Sequence, residues 1–177
     1  MSTEESTPRS GRVAIVGRPN VGKSTLLNAL LGQKLAITTP RPGTTRSCLL
    51  GVHWAEDPPT QIAFVDTPGL ERPRSVVLVE EAQGSLEDAE AMLLLVDATH
   101  RGRGDDPIAP ADAEVFEQVR AVGRPVVVAL NKVDAIEDKR ALLPKLEAWH
   151  ARYEPAALIP LSARKNDNLA PLVAELR

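Results

Sequence analysis

The sequence predicts an α/β fold: a six-stranded, mostly parallel sheet with one antiparallel edge strand and helices on both faces. Five short apolar runs recur along the chain, and each is nearly continuous in apolar residues rather than alternating. This pattern is typical of strands buried on both faces. The runs are 13–16, 62–65, 92–96, 126–130 and 156–161. Helical patterns lie between them, which indicates βαβ units.

Three amphipathic segments are predicted to be helices because their apolar residues recur at helical spacing, and a further helix is expected at the end of the chain. The first begins near Lys23, and the second includes Val115, with Asp112 as its N-cap. The third covers 141–149 and the last covers 168–176. These helices supply the crossovers that parallel strands require.

One further strand, at 48–54, breaks the alternation of strands and helices. It precedes the run at 62–65 directly, and the intervening residues 55–59 are too few for a helical crossover. We therefore expect these two strands to pair antiparallel, with 48–54 at the edge of the sheet.

Composition predicts one globular domain at 11–177, preceded by a disordered N-terminal tail at 1–10. A single cysteine, Cys48, rules out an intramolecular disulfide and favours a cytoplasmic location. A net charge of -3 disfavours a dedicated nucleic-acid-binding domain. We expect no signal peptide and no transmembrane segment. Trp54 and Trp149 are interpreted as packing residues.

A glycine-rich motif at 17–24, GRPNVGKS, follows the first apolar run and opens the first predicted helix. Its glycines allow backbone N–H groups to point at phosphate oxygens, and the helix N-terminus adds partial positive charge. Lys23 is expected to reach the β- and γ-phosphates of a nucleotide, and the hydroxyl of Ser24 to bind Mg²⁺. The candidate phosphate-binding residues are Asn20, Val21, Gly22, Lys23, Ser24 and Thr25.

A second motif, Asp-Thr-Pro-Gly at 66–69, ends the run at 62–65. Asp66 stands at the carboxyl end of a strand beside the phosphate loop, where a carboxylate that organises Mg²⁺ is expected. Gly69 has no Cβ, so its backbone N–H could approach a γ-phosphate closely.

A third motif, Asn-Lys-Val-Asp at 131–134, follows the run at 126–130. The carboxylate of Asp134 could accept hydrogen bonds from both the ring N–H and the amino group of guanine, a pair of donors that adenine lacks. Lys132 could lay its methylene stem over the base. The candidate base-binding residues are Asn131, Lys132 and Asp134, together with Ser162, Ala163 and Arg164 after the last strand.

These motifs in this order resemble those of the translation-factor-like small GTPases, and within that branch the Era family. The resemblance covers nearly the whole chain and is carried by four segments: 17–34, 42–46, 64–70 and 85–89. It implies a P-loop GTPase domain that binds GTP, GDP and Mg²⁺ and hydrolyses GTP slowly as a switch. It also implies a role in assembly of the small ribosomal subunit. Relatives in tRNA modification share the phosphate and base motifs.

The resemblance assigns the first switch to 35–47, with Thr45 as its Mg²⁺-binding threonine and Thr44 as the alternative, and the second switch to 67–84. The candidate metal ligands are then Ser24, Thr45 and Asp66, and the candidate catalytic residues are Asn20, Lys23, Thr45 and Gly69. Members of the Era family carry a KH-type RNA-binding domain after the GTPase domain. We expect no such domain here, so contact with 16S rRNA or the 30S subunit would need a domain absent from this chain.

Leu70 occupies the position where Ras-like enzymes carry a glutamine that orients water. Some relatives with an apolar residue here use K⁺, ligated by an asparagine of the phosphate loop. Asn20 holds that position. The resemblance thus predicts hydrolysis stimulated by K⁺; the alternative is that Asn20 only shapes the loop. Three other functions stay open. The first is an Era-like GTPase with another partner, such as a tRNA-modification or membrane-associated complex. The second is a GTP/GDP-binding module that hydrolyses little and acts through protein partners, and the third is a P-loop ATPase, which the motif at 131–134 disfavours.

Overall fold

In the computed structural model, the described part of the chain consists of residues 9–32, 49–56, 58–66, 88–100, 102 and 104–177. Within these residues one sheet contains six strands, in the spatial order β2-β3-β1-β4-β5-β6. The strands are β1 (Arg9–Val16), β2 (Leu49–Ala55), β3 (Thr60–Asp66), β4 (Ala91–Asp97), β5 (Val126–Asn131) and β6 (Ala157–Pro160). Only β2 and β3 pair antiparallel, and β2 lies at the edge. The predicted sheet is confirmed.

The first strand begins earlier than the composition indicated. β1 includes Arg9 and Ser10, which the sequence analysis placed in a disordered tail. The backbone N–H of Arg9 donates to the carbonyl of Pro59 at 2.9 Å, and Arg9 lies in register with Thr60 of β3. Pairing with the neighbouring strand, rather than burial, therefore sets this boundary, and the apolar pattern could not reveal it.

Four α-helices lie in the described part of the chain: α1 (Lys23–Leu31), α2 (Pro110–Arg120), α3 (Leu143–Tyr153) and α4 (Leu169–Glu175). Short 3₁₀ turns at Val133–Ala135 and Lys139–Leu142 precede α3. The prediction that Asp112 caps α2 is wrong. The N-cap is Ala109, because Pro110 already has the backbone angle that suits the first helical position. Asp112 instead lies buried within the first turn.

The core divides into two clusters, one on each face of the sheet. Alternate residues of β1 point to opposite clusters: Ala14 and Val16 to one, Val13 and Ile15 to the other. The first cluster includes the buried face of α2 and α3, and the second includes that of α1 and α4. Helices therefore cover both faces, as the sequence predicts.

The two tryptophans differ in environment. Trp149 is 1% exposed, and its ring lies 5.5 Å from that of Phe116 and 5.1 Å from that of Tyr153, centroid to centroid. Trp54 is 44% exposed on the edge strand β2, so its interpretation as a packing residue is wrong. It pairs in register with Gln61, which is also exposed.

The sheet brings the three motifs to one edge. β1, β3, β4 and β5 run parallel, so their carboxyl ends meet there. Ile15, just before the glycine-rich loop, lies in register with Asp66, and Asp97 lies in register with Asn131. Among the described residues no helix has the length and apolar character needed to cross a membrane.

Candidate nucleotide-binding site

The glycine-rich loop between β1 and α1 depends on backbone conformations that favour glycine. Gly17 has φ 152° and Gly22 has φ 105°. A Cβ at Gly17 would lie 2.5 Å from the carbonyl oxygen of Leu95, and one at Gly22 would lie 2.4 Å from Nδ2 of Asn131. Asn20, at φ 64°, also adopts the left-handed conformation. The loop therefore wraps tightly against β4 and β5.

Lys23 is the first residue of α1, and its ammonium group lies inside the loop. Nζ donates to the carbonyl oxygens of Gly17 at 2.6 Å and Arg18 at 3.2 Å. No side chain caps the N-terminus of α1, and Ser24 and Thr25 are exposed in its first turn. A positive charge, backbone N–H groups and a hydroxyl thus converge where an anion would be stabilised.

Asn131, the last residue of β5, joins the glycine-rich loop to the loop after β6. Its Nδ2 donates to the carbonyl of Val21 at 2.8 Å, and its Oδ1 accepts from the backbone N–H of Ala163 at 3.0 Å. Asn131 is 3% exposed, so each of these bonds is made away from water. The predicted phosphate and base segments therefore form one connected site.

Lys132 makes a second link to the glycine-rich loop. It adopts a left-handed backbone conformation, and its Nζ donates to the carbonyl of Asn20 and to Oδ2 of Asp97, both at 2.6 Å. Burial alone would raise the pKa of the Asp97 carboxyl, but hydrogen bonds from Lys132 and Thr99 hold that pKa below its usual value. Asp97 is therefore ionised beside the ammonium group.

Asp134 is exposed, and Ser162 fixes the position of its carboxylate. The Ser162 hydroxyl donates to Oδ1 of Asp134 at 2.6 Å, and this bond holds the pKa of Asp134 below its usual range. Ser162 is buried and exchanges two backbone hydrogen bonds with Asp167. Arg164 is exposed beside it. The carboxylate is thus exposed and held in position where it can face a ligand.

Arg18 forms an ion pair with the buried Asp112 of α2, at 3.6 Å between Nη1 and Oδ1. Burial raises the pKa of Asp112, and the positive charge of Arg18 opposes that rise. The glycine-rich loop is therefore held by α2 as well as by Asn131 and Lys132. The sequence motifs did not reveal Asp112, Arg18 and Asp97 as parts of the site, although Asp97 directly follows a buried run, as Asp66 does.

Several predicted residues lie beyond the described part of the chain. These are Thr45 with the alternative Thr44, Gly69, Leu70, and the whole of both predicted switch segments, 35–47 and 67–84. The backbone of Asp66 ends β3 beside Ile15, as predicted. Among the described residues, no group of three or more His, Cys, Asp or Glu side chains could hold a metal ion. The predicted Mg²⁺ ligands therefore stay a prediction.

A family model described as "50S ribosome-binding GTPase" matches residues 12–132, which contain the glycine-rich loop and the first residues of the base motif. The chain belongs to this GTPase family. Its curated relatives include GTPase Era of Xylella fastidiosa (strain M12), 44% identical over 172 residues, covering 95% of this chain and 55% of the relative. GTPase Era of Stenotrophomonas maltophilia (strain R551-3) is 43% identical over 178 residues, covering 98% and 57%. The chain thus spans about half the length of the curated relatives it matches.

Solved structures of Era GTPases share the fold of this family member. Aquifex aeolicus Era bound to GDP and AlF4⁻ is 41% identical, with a TM-score of 0.74 over 94% of this chain and 56% of that one. Era in complex with MgGDPNP and nucleotides 1506–1542 of 16S ribosomal RNA is 40% identical, with a TM-score of 0.76 over 96% and 56%. The predicted resemblance to the Era family is confirmed.

Proposed function

We propose that this chain binds GTP and GDP and hydrolyses GTP as a Mg²⁺-dependent switch of the Era type. One observation carries the proposal. Asn131 and Lys132 of the base motif donate to the carbonyls of Val21 and Asn20, two consecutive residues of the glycine-rich loop. A site for a base and a site for phosphates are thereby held at a fixed separation, which suits a nucleotide.

Guanine selectivity rests on Asp134. An ionised carboxylate can accept from the ring N–H and the exocyclic amino group of guanine together. Ser162 donates to one oxygen of Asp134 and helps to keep the group ionised. Adenine presents no such pair of donors at this edge, so its binding would leave the carboxylate without a partner. The N–H groups of Ser162 and Ala163 already donate to Asp167 and Asn131, so the backbone N–H of Arg164 is the candidate for contact with the guanine carbonyl.

The phosphate side would hold the Mg²⁺-bound triphosphate. The donors expected to bind the ion are the hydroxyls of Ser24 and Thr45 and the carboxylate of Asp66, oxygen ligands that suit Mg²⁺. The exposed position of Ser24 in the first turn of α1 fits this role. When bound, Mg²⁺ would neutralise charge on the phosphate oxygens. Lys23 would exchange its bonds to the loop carbonyls for bonds to phosphate oxygens.

Hydrolysis in this chain would not use a glutamine to orient water, because Leu70 stands at that position. We propose stimulation by K⁺, with the side chain of Asn20 as one ligand. Two observations support this role: the Asn20 side chain is exposed, and the Asn20 carbonyl is held by Lys132. The turnover of the isolated chain is then expected to be slow.

Single-turnover hydrolysis of GTP and ATP with Mg²⁺, in KCl and in NaCl, tests the activity. We expect cleavage of GTP alone, and faster cleavage in KCl. Asn20→Gly keeps the left-handed backbone and removes the proposed ligand, so its rates in the two salts should be equal. Asn166→Gly is the matched control, since Asn166 also adopts positive φ and is exposed. Tight GTP binding without cleavage would instead support a binding module, and cleavage of ATP would refute the base assignment.

We further propose that the protein acts on the small ribosomal subunit, because an Era relative 40% identical to this chain was crystallised with a 16S rRNA fragment. Sedimentation with purified 30S subunits in GTP and in GDP tests this role. Cosedimentation that depends on GTP would support it. Absence of the protein from the pellet in both nucleotides would contradict the proposed role on the small subunit.

A further inference from the structure

Asp97 is a buried carboxylate at the end of β4, directly beside the base motif. It is 3% exposed and lies in register with Asn131 of β5. The next residue, Ala98, donates its N–H to the carbonyl of Asn131 at 2.8 Å. A buried carboxylate needs hydrogen-bond or charged partners to compensate for the loss of water, so the partners of Asp97 indicate its role in the structure.

Each oxygen of Asp97 has its own partner. Oδ1 accepts from the backbone N–H of Thr99 at 2.9 Å and from the Thr99 hydroxyl at 2.6 Å. Oδ2 accepts from Nζ of Lys132 at 2.6 Å, and Nε2 of His100 lies 3.7 Å from the same oxygen. The first oxygen thus closes a turn of its own loop, whereas the second reaches across to the base motif. These two roles can be separated by mutation.

The Lys132 side chain is fixed at both ends, by the backbone conformation at one end and by the bonds of the ammonium group at the other. Its backbone has φ 65°, and its ammonium group is shared between Asp97 and the carbonyl of Asn20. A free lysine side chain loses more rotamer entropy on ordering than most others, and that loss weakens binding when a ligand imposes it. Here Asp97 imposes the order within the protein itself.

We propose that Asp97 is a positioning residue for nucleotide binding, which fixes Lys132 against Asn20 so that the base side of the site is organised before the ligand enters. The inference rests on the proposed binding of guanine nucleotides, in which the stem of Lys132 lies over the base. Asp97 itself would touch neither the nucleotide nor the reacting phosphate.

A double-mutant cycle on GDP affinity tests the inference. The variants are Asp97→Asn, Lys132→Met and the double variant, each measured by titration with a fluorescent GDP analogue. We expect Asp97→Asn to weaken binding about tenfold in the wild-type background and less than about twofold when Lys132 is already Met. Asp105→Asn is the matched control, because Asp105 is exposed in the following loop.

Thr99→Ala separates the two oxygens of Asp97. It removes the hydroxyl bond to Oδ1 and leaves the bond from Lys132 intact, so GDP affinity should change less than about twofold. Equal losses for Asp97→Asn in both Lys132 backgrounds would overturn the inference, as would a loss in Thr99→Ala that matches Asp97→Asn. Wild-type protein that fails to bind GDP would overturn the proposed function instead, and that titration is made first.

Discussion

The side-chain amide of Asn131 donates to the carbonyl of Val21 at 2.8 Å, joining residues 110 positions apart in the chain. The same side chain accepts from Ala163, so one buried asparagine connects three segments of the candidate site. Its contacts are made at the carboxyl ends of parallel strands, where the sheet brings the segments together.

Asn131→Ala should destabilise the fold and weaken GDP binding together. The Val21 carbonyl and the Ala163 N–H would lose their partner in a buried place, which typically costs about 1–3 kcal/mol. Chemical denaturation and GDP titration measure the two effects. Asn28→Ala, at an exposed position of α1, should change the free energy of unfolding by less than about 0.5 kcal/mol. Equal stabilities for the two variants would contradict the bridging role of Asn131.

Ser162→Ala should make GDP affinity more sensitive to acid. The Ser162 hydroxyl holds the pKa of Asp134 below its usual range, so removal of the hydroxyl lets that pKa rise. Asp134 must be ionised to accept two donors from guanine. The pH at which affinity falls should therefore be higher in Ser162→Ala than in wild type. Titrations with GDP between about pH 4 and pH 7 measure the shift.

In the same titrations, Ser10→Ala on the exposed start of β1 is a control with the same chemical change. It should reproduce the wild-type profile. Superimposable profiles for Ser162→Ala and wild type would show that the hydroxyl does not set the ionisation of Asp134.

Gly22→Ala should abolish tight nucleotide binding, whereas Gly123→Ala should not. Both glycines have positive φ, so both substitutions introduce backbone strain of about 1 kcal/mol. Only at Gly22 would the new Cβ also meet Nδ2 of Asn131, at 2.4 Å, whereas nothing lies within 4 Å at Gly123. Thermal unfolding and GDP titration separate the strain common to both variants from the steric contact specific to one. Similar GDP affinities in the two variants would refute the steric argument.

Arg18→Ala should increase the total loss of stability as pH rises, because the loss extends over a wider range of pH. Burial raises the pKa of Asp112 in the folded chain, so folding favours the protonated acid, and stability is lost as pH rises from the unfolded pKa through the folded one. Arg18 limits this loss by stabilising the carboxylate. Its removal raises the folded pKa further and widens the range of pH over which stability declines.

The measurement for this ion pair is the free energy of unfolding between about pH 4 and pH 8, obtained by denaturant titration. Arg120→Ala removes the same charge from an exposed position on α2 and should follow the wild-type slope. Asp112→Asn should flatten the dependence, since the titrating group is gone. A total loss of stability in Arg18→Ala equal to that of wild type over this range would exclude a stabilising role for the pair.

Sequence patterns predicted the sheet because strands that are buried on both faces are nearly continuous runs of apolar residues. The runs at 92–96 and 126–130 became β4 and β5 with changes of only one residue at either end. The antiparallel edge strand followed from the shortness of the connection at 55–59. Features set by pairing or by backbone angles were missed, such as the start of β1 at Arg9 and the N-cap at Ala109.

The candidate site likewise has a part that the sequence predicted and a part that it could not predict. Spacing located the glycine-rich loop and the base motif, because phosphate and base recognition need fixed residue types at fixed distances along the chain. Spacing could not show that Lys132 reaches Asp97, or that Arg18 reaches Asp112, because these partners lie on other elements. The prediction that Trp54 is a packing residue failed because an aromatic residue on an edge strand can face solvent, and residue type alone does not show which side chains an edge strand exposes.

The side chains of Asn131 and Lys132 both donate hydrogen bonds to main-chain carbonyl oxygens of the glycine-rich loop rather than to its side chains. A carbonyl is present whichever amino acid occupies the position, whereas an amide or ammonium donor is not. For these hydrogen bonds, substitutions at the acceptor positions should therefore be tolerated better than substitutions at the donor positions. Positions 20 and 21 could diverge wherever a replacement keeps the backbone angles and packing, without loosening the connection. Positions 131 and 132 have no such freedom, because their side chains are the donors.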